Sequence, residues 1–161
     1  MAILEIIEMP HPVLEMRARD VLPDEFGPAL AQKMRDMAET MYAAPGVGLA
    51  APQVTDSRRF VVVDPGDRSD RGRRLHYFVN PTIQERSKET IVWRETCLSV
   101  PGIEVDITRS LKIRLKWQAP EDGSVHSEWF EEYEAVIIQH ELDHLEGTVL
   151  LDRVSRFRRG R

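Results

Sequence analysis

One stretch decides most of what this chain can become: Glu131 to Leu145 reads as a helix that is apolar nearly all the way round. Ala135, Val136, Ile137, Ile138, Leu142 and Leu145 leave no broad polar face for water, so the helix is expected inside the core. Its acidic first turn suits the positive end of the helix dipole, and Gly147 is well placed to end it. A helix buried on all sides needs other elements wrapped around it. The 161 residues are enough for one such domain with a real core, 1–161, and too few for two ordinary ones.

The wrapping is expected to be mostly sheet. Phe60–Val63, Tyr77–Val79, Thr90–Trp93, Ile103–Ile107 and Leu111–Trp117 are short, β-branched or aromatic, and often alternating. Pro120-Glu121-Asp122-Gly123 reads as a turn between two antiparallel strands, the second running from Val125 to Phe130. Upstream, Leu30, Met34, Met37, Ala38 and Met41 recur at helical steps, predicting a helix over Glu25 to Ala43 that Pro45-Gly46 stops. Strands bunched between helices give an α+β fold: mostly antiparallel sheets packed around a buried central helix. The charged segment Asp67 to Arg74 is expected to be mobile surface.

Several function classes drop out early. A net charge of −5 argues against a general nucleic-acid binder, so no DNA partner is expected. A single cysteine, Cys97, cannot form an internal disulfide, which fits a reducing compartment. No run approaches the roughly 18–20 apolar residues of a membrane span, and the start lacks the pattern of a signal peptide. A soluble, cytoplasmic protein without a membrane partner is the expectation.

Polar residues inside a buried helix need a reason, and here they read Gln139-His140-Glu141-Leu142-Asp143-His144, an H-E-x-x-H pattern. Histidines four apart share a helical face, about 6 Å apart along the axis, so both imidazoles reach one metal. Glu141 lies close enough to take a proton from an activated water without being a ligand. Two ordinary core histidines are the plainer alternative, but burying them without a partner is costly.

A catalytic metal usually takes a third protein ligand. The position where one protease class carries a third histidine is Leu150, and only Glu146 and Asp152 follow as acids, both poorly placed. An upstream ligand is therefore expected, and Cys97 is the natural candidate, since thiolate binds first-row metals strongly. A lone cysteine is more often a small buried hydrophobe. Its polar, turn-bounded setting, Glu95-Thr96-Cys97-Leu98-Ser99-Val100-Pro101-Gly102, favours the ligand. A third segment, Gly46 to Gln53, is small and glycine-rich but lacks the Lys-Ser/Thr of a phosphate loop. Alone it reads as a loop packed tightly on the core.

Taken together, GVGLAAPQ at 46–53, ETCLS at 95–99 and QHELDH at 139–144 resemble the three signature motifs of the peptide deformylase family, in family order. The resemblance extends through Pro10-His11-Pro12-Val13-Leu14 and from Leu145-Glu146-Gly147 to Leu151-Asp152-Arg153, covering nearly the whole chain. It implies a hydrolase that removes the formyl group from the N-terminal methionine of nascent chains and releases formate. It implies that Cys97, His140 and His144 hold one divalent metal, Fe(II) in the cell, with zinc, nickel or cobalt as alternatives. A metal-bound water would attack the formyl carbon with Glu141 as base and then acid. The Gln53 amide and the Leu98 backbone N–H would stabilise the oxyanion. The methionine side chain would enter a pocket made by Trp93, Tyr133, Val136 and Ile137, though plain core is an equal reading for each of the helical three. The peptide would lie along strand edges beside Val47 and Gly48, and Arg109 would pair with Glu95 to brace the loop.

The chain departs from the family pattern at three places. Thr96 stands where the family has glycine before the cysteine, bringing local loop geometry into question. Glu104 stands where some members carry a peptide-binding arginine, and Trp93 is bulkier than the usual aliphatic residue. Two other readings compete: an endopeptidase, against which the missing downstream ligand counts, and a family member that has lost catalysis and only binds. The arginine-rich end, Arg153, Arg156, Arg158, Arg159 and Arg161, offers possible transient contact with ribosomal RNA, although short basic tails are usually just solvated.

Overall fold

The computed structural model describes residues 2–66, 74–148 and 150. The fold is α+β. Helix α1 runs Pro28–Ala43 and helix α2 Glu132–Leu145. The strands are β1 Gly48–Ala50, β2 Phe60–Val63, β3 His76–Arg86, β4 Thr90–Cys97, β5 Val100–Ser110, β6 Lys112–Gln118 and β7 Val125–Glu131. Five of them form an antiparallel sheet in the order β1-β2-β3-β6-β7. Strands β4 and β5 leave that sheet and pair only with each other.

Helix α1 begins at Pro28, three residues later than the periodicity predicts. Gly27 has φ 140°, outside the helical region, and a proline discourages the helical conformation in the residue before it. Pro28 itself suits the first helical position, where no N–H is needed. Glu25, expected to open the helix, instead ends a separate short 3-10 turn, Pro23–Glu25, in which its carboxylate accepts from the Leu22 N–H at 2.8 Å. Leu30, Met34, Met37 and Met41 then bury one stripe against Leu49, Phe60 and Val62. Burying each such side chain contributes about 1.5–3 kcal/mol.

Helix α2 is buried, as its composition demands: eleven of its residues, Tyr133 to Glu141 together with His144 and Leu145, are closed off from water. It follows β7 without a loop, and Glu132 makes the turn with a left-handed φ of 56°. Its last turn is closed by Gly147, φ 75°, whose N–H donates to the His144 carbonyl. A Cβ there would lie 2.6 Å from the Glu15 carbonyl oxygen, so glycine is required by space as well as by backbone. The Arg59 guanidinium also donates to the Leu145 carbonyl at 3.1 Å, a cation at the negative helix end.

The expected strands are present, with β3, β4 and β5 longer than their apolar cores suggested. Residues 46–53 are not loop alone: they include β1 and a 3-10 turn at Ala51–Val54. Of the segment expected to be mobile, 67–73 lie outside the described residues. Arg74 is half-buried and ion-paired with Glu128 at 2.8 Å and Glu134 at 3.4 Å, which corrects the expectation for that residue. The arginine-rich end also lies outside the described residues. No helix among them is long and apolar enough to cross a membrane.

Candidate metal centre

Three elements meet at one point. Cys97 ends β4, where the register with β5 slips between Glu95 and Cys97, and His140 and His144 project from one face of α2. The candidate ligand atoms of the three residues lie within 4.8 Å of one another, and Cys97 Sγ is 3.3 Å from His144 Nε2. All three side chains are buried. Burial, with His140 and Arg109 nearby, holds the His144 imidazole well below its ordinary pKa, favouring the neutral form that a metal requires.

The surroundings orient these groups. Glu95 is buried and takes two bonds from Arg109, Nε to Oε2 and Nη2 to Oε1, both 2.8 Å. The same Oε1 lies 2.9 Å from His140 Nδ1. A carboxylate there orients the ring through Nδ1, and against burial the contacts with Cys97 and Glu95 hold the His140 imidazole above its ordinary range. Burial works against ionising Glu95, yet the hydrogen bonds from Arg109 and His140 prevail and hold it below the usual carboxylate range. Arg109 Nη1 reaches on to Asp143 Oδ2 at 2.6 Å, so one guanidinium ties β4 to α2.

Gln53 approaches from the short turn after β1. Its Oε1 accepts from the Ala50 N–H at 2.9 Å, which leaves its NH2 facing the centre, 3.1 Å from Ser99 Oγ and 3.7 Å from Cys97 Sγ. Ser99 in turn donates to the Ile7 carbonyl at 2.7 Å. Glu141 lies over Gly48, where a Cβ would be only 2.5 Å from its Oε2. Burial pushes the Glu141 carboxyl up to about 7; Glu95 and Asp143 add to the rise, while His140 and Arg109 oppose it. Glu141 Oε1 and His144 Nδ1 are buried without a hydrogen-bond partner among the described residues. Two orphaned polar atoms beside a Cys-His-His set fit a site built around a cation and its water.

A cavity of about 650 Å³ opens onto this point. Gln53, Glu95, Cys97, Leu98, His140 and Glu141 line its inner end. Its apolar side is Val47, Gly48, Trp93, Tyr133, Val136 and Ile137, with the Trp93 and Tyr133 rings 4.9 Å apart between centroids. Every site residue named from the sequence borders this one cavity except His144, which lies deeper behind Cys97 at 3.3 Å, and Arg109, which stands behind Glu95. Arg109 lines a second, polar cavity of about 640 Å³ on the opposite face of α2, together with Gln139 and Asp143.

Thr96 is exposed at the cavity mouth with an ordinary strand backbone; the positive-φ non-glycine residues described are Thr55, Asn80 and Glu132. The glycine that the motif usually carries is thus not needed here for its backbone. Glu104 is exposed on β5 and does not line the cavity. Sequence reasoning passed over Ser99, Asp143 and the direct Glu95–His140 contact. Ser99 and Asp143 stood inside quoted motifs, and a polar residue in a segment otherwise headed for burial was the available signal.

Comparison with known proteins finds relatives along nearly the whole chain. The family model described as polypeptide deformylase matches residues 3–160. A peptide deformylase of Zymomonas mobilis is 39% identical over 163 aligned residues, covering 99% of this chain and 90% of the relative. The crystal structure of peptide deformylase from Thermotoga maritima superposes with a TM-score of 0.88 at 41% identity, covering 96% of this chain and 99% of that one. A class I type b peptide deformylase from Acinetobacter baumannii, solved with Met-Ala-Ser bound, gives a TM-score of 0.86 at 30% identity and covers 95% and 99%.

Proposed function

The chain belongs to the peptide deformylase family, and from that premise we propose a residue-by-residue account of how it removes the formyl group from nascent peptides in the cytoplasm. The observation that carries it is the convergence of Cys97, His140 and His144 within 4.8 Å, beside a buried glutamate and an amide aimed at the same point. Cys97 Sγ and one ring nitrogen each of His140 and His144 would hold one divalent ion. The set suits Fe(II), our assignment in the cell, and accommodates zinc, nickel or cobalt. When bound, such an ion supplies Lewis acidity that acidifies a water and polarises the formyl carbonyl.

Glu141 takes the proton from the attacking water; its carboxyl, raised to about 7 chiefly by burial, is suited to accept and release one near neutrality. Water oxygen joins the formyl carbon, the carbon–nitrogen bond breaks, and Glu141 passes its proton to the leaving amine. The products are formate and a free methionine N-terminus. Gln53 Nε2 and the Leu98 N–H donate to the oxygen on which negative charge develops, each contributing up to a few kcal/mol. Glu95 and Arg109 hold His140 in place. The methionine side chain enters the apolar side of the cavity between Trp93, Tyr133, Val136 and Ile137. The peptide, a mode in keeping with the relative that binds Met-Ala-Ser, runs along the edge at Val47 and Gly48.

Formate release from formyl-Met-Ala-Ser by Fe(II)-loaded, oxygen-free protein tests this reading, with acetyl-Met-Ala-Ser and unblocked peptide alongside. Formate from the formyl peptide alone is expected. Cleavage inside the unblocked peptide would instead reveal an endopeptidase, and fully metallated but inactive protein a binding module.

A further inference from the structure

We propose that Arg94 makes this enzyme select for an acidic residue at the second or third position of the formylated peptide, an inference that rests on the deformylase reading above. Val92, Arg94 and Thr96 alternate along β4 with Trp93, Glu95 and Cys97, so the first three face outward while the second three turn inward. Arg94 and Thr96 nonetheless border the mouth of the substrate cavity. Arg94 is the one guanidinium or ammonium group among the described residues lining it. The other lining charges are accounted for deeper in, Glu95 by Arg109 and Glu141 by the chemistry.

Arg94 is also available. Its partner is Asp106, opposite it in the β4–β5 register, at 3.1 Å, and the two side chains are 67% and 57% exposed. Exposed pairs of this kind are weak, so a substrate carboxylate can take the guanidinium over at little cost. An extended chain advances about 3.3–3.6 Å per residue. With the formyl-methionine at the inner end, the next two residues therefore pass the mouth where Arg94 stands. Asp106 and Glu104 lie beyond the lining, and their charges on Arg94 temper the preference.

The test compares kcat/KM for formyl-Met-Ala-Glu, formyl-Met-Ala-Gln and formyl-Met-Ala-Lys, and for the same residues placed second, at low and at moderate salt. Glutamate is expected to be favoured over lysine by about fivefold, through KM and less so at higher salt. R94E should invert the order, which loss of structure alone cannot do, and D106N should widen it by freeing the guanidinium. Equal values for the three peptides, or an unchanged order in R94E, overturns the assignment and leaves the deformylase reading intact. If no peptide yields formate, that reading fails separately. Calorimetry with Met-Ala-Glu and Met-Ala-Lys then decides: tighter glutamate binding that R94E reverses supports Arg94, and equal binding or none rejects it.

Discussion

Replacing Gly48 by alanine should cripple turnover while sparing the metal. The backbone at Gly48 lies outside the left-handed region, so alanine brings no conformational strain there. What it brings is a methyl group 2.5 Å from Glu141 Oε2 and 2.9 Å from the Cδ and Cγ atoms of the same side chain. Ordinary contact begins at 3.4 Å, so the carboxylate must withdraw by about 0.9 Å. Glu141 is only 4% exposed and cannot swing into water. Misplacing a catalytic group by about 1 Å costs roughly 100-fold, or about 2.7 kcal/mol in the barrier. Formate release from formyl-Met-Ala-Ser, normalised to metal content, measures it. Metal content itself should hold, because the three atoms nearest the new methyl all belong to Glu141. Shortening the acid relieves the clash, so G48A and E141D should combine to lose less than the sum of their separate losses, by 1 kcal/mol or more. A kcat within threefold of wild type, or strict additivity, would refute the idea that this contact aims the base.

Other outcomes follow from the same contacts. E141Q should retain metal and lose at least about 100-fold in kcat, whereas C97A should lose metal, both checked by elemental analysis beside the formate assay. R109A leaves Glu95 and Asp143 without their shared cation, and should lower the melting temperature and weaken metal binding about 10–100-fold, read by chelator competition. Because Glu95 is held below its ordinary range, its stabilisation is complete above the unfolded value of about 4.3 and is lost as pH falls through the folded value. E95Q should therefore be less stable at neutral pH and show a flatter melting curve in acid, followed by calorimetry. At the other end of α2, E132G removes a left-handed residue that carries a side chain, and should gain up to about 1 kcal/mol in urea unfolding.

Much of this was legible before any coordinates. The apolar character of Ala135 to Leu145 required burial, and the four-residue spacing of His140 and His144 put both rings on one face. What escaped was set by contacts between distant residues. No local pattern says that β4 and β5 leave the main sheet, since their alternation suits either partner. Asp143 had no role readable from the motif, because its partner Arg109 lies 34 positions away in sequence. Gly48 was expected beside the peptide; the carboxylate above it shows a second reason for the missing side chain. The late start of α1 was readable in principle, because Gly27-Pro28 is a poor helix interior and the apolar spacing outweighed it. Thr96 teaches the reverse lesson: a residue that breaks a motif need not break the backbone.

The separation of the β4–β5 hairpin from the five-stranded sheet has a consequence for the chain as a polymer. On the proposed assignment, a cation shared by Cys97 and His144 would join residues 47 apart, between that hairpin and the central helix. In the unfolded chain a permanent tie across such a loop would remove conformational freedom amounting to about 4 kcal/mol. A protein with a single cysteine would thus gain a reversible cross-link from the same sulfur proposed to hold the metal. Stripping the metal should loosen the hairpin first, and hydrogen exchange along Thr90–Ser110 should rise before that of Phe60–Val63.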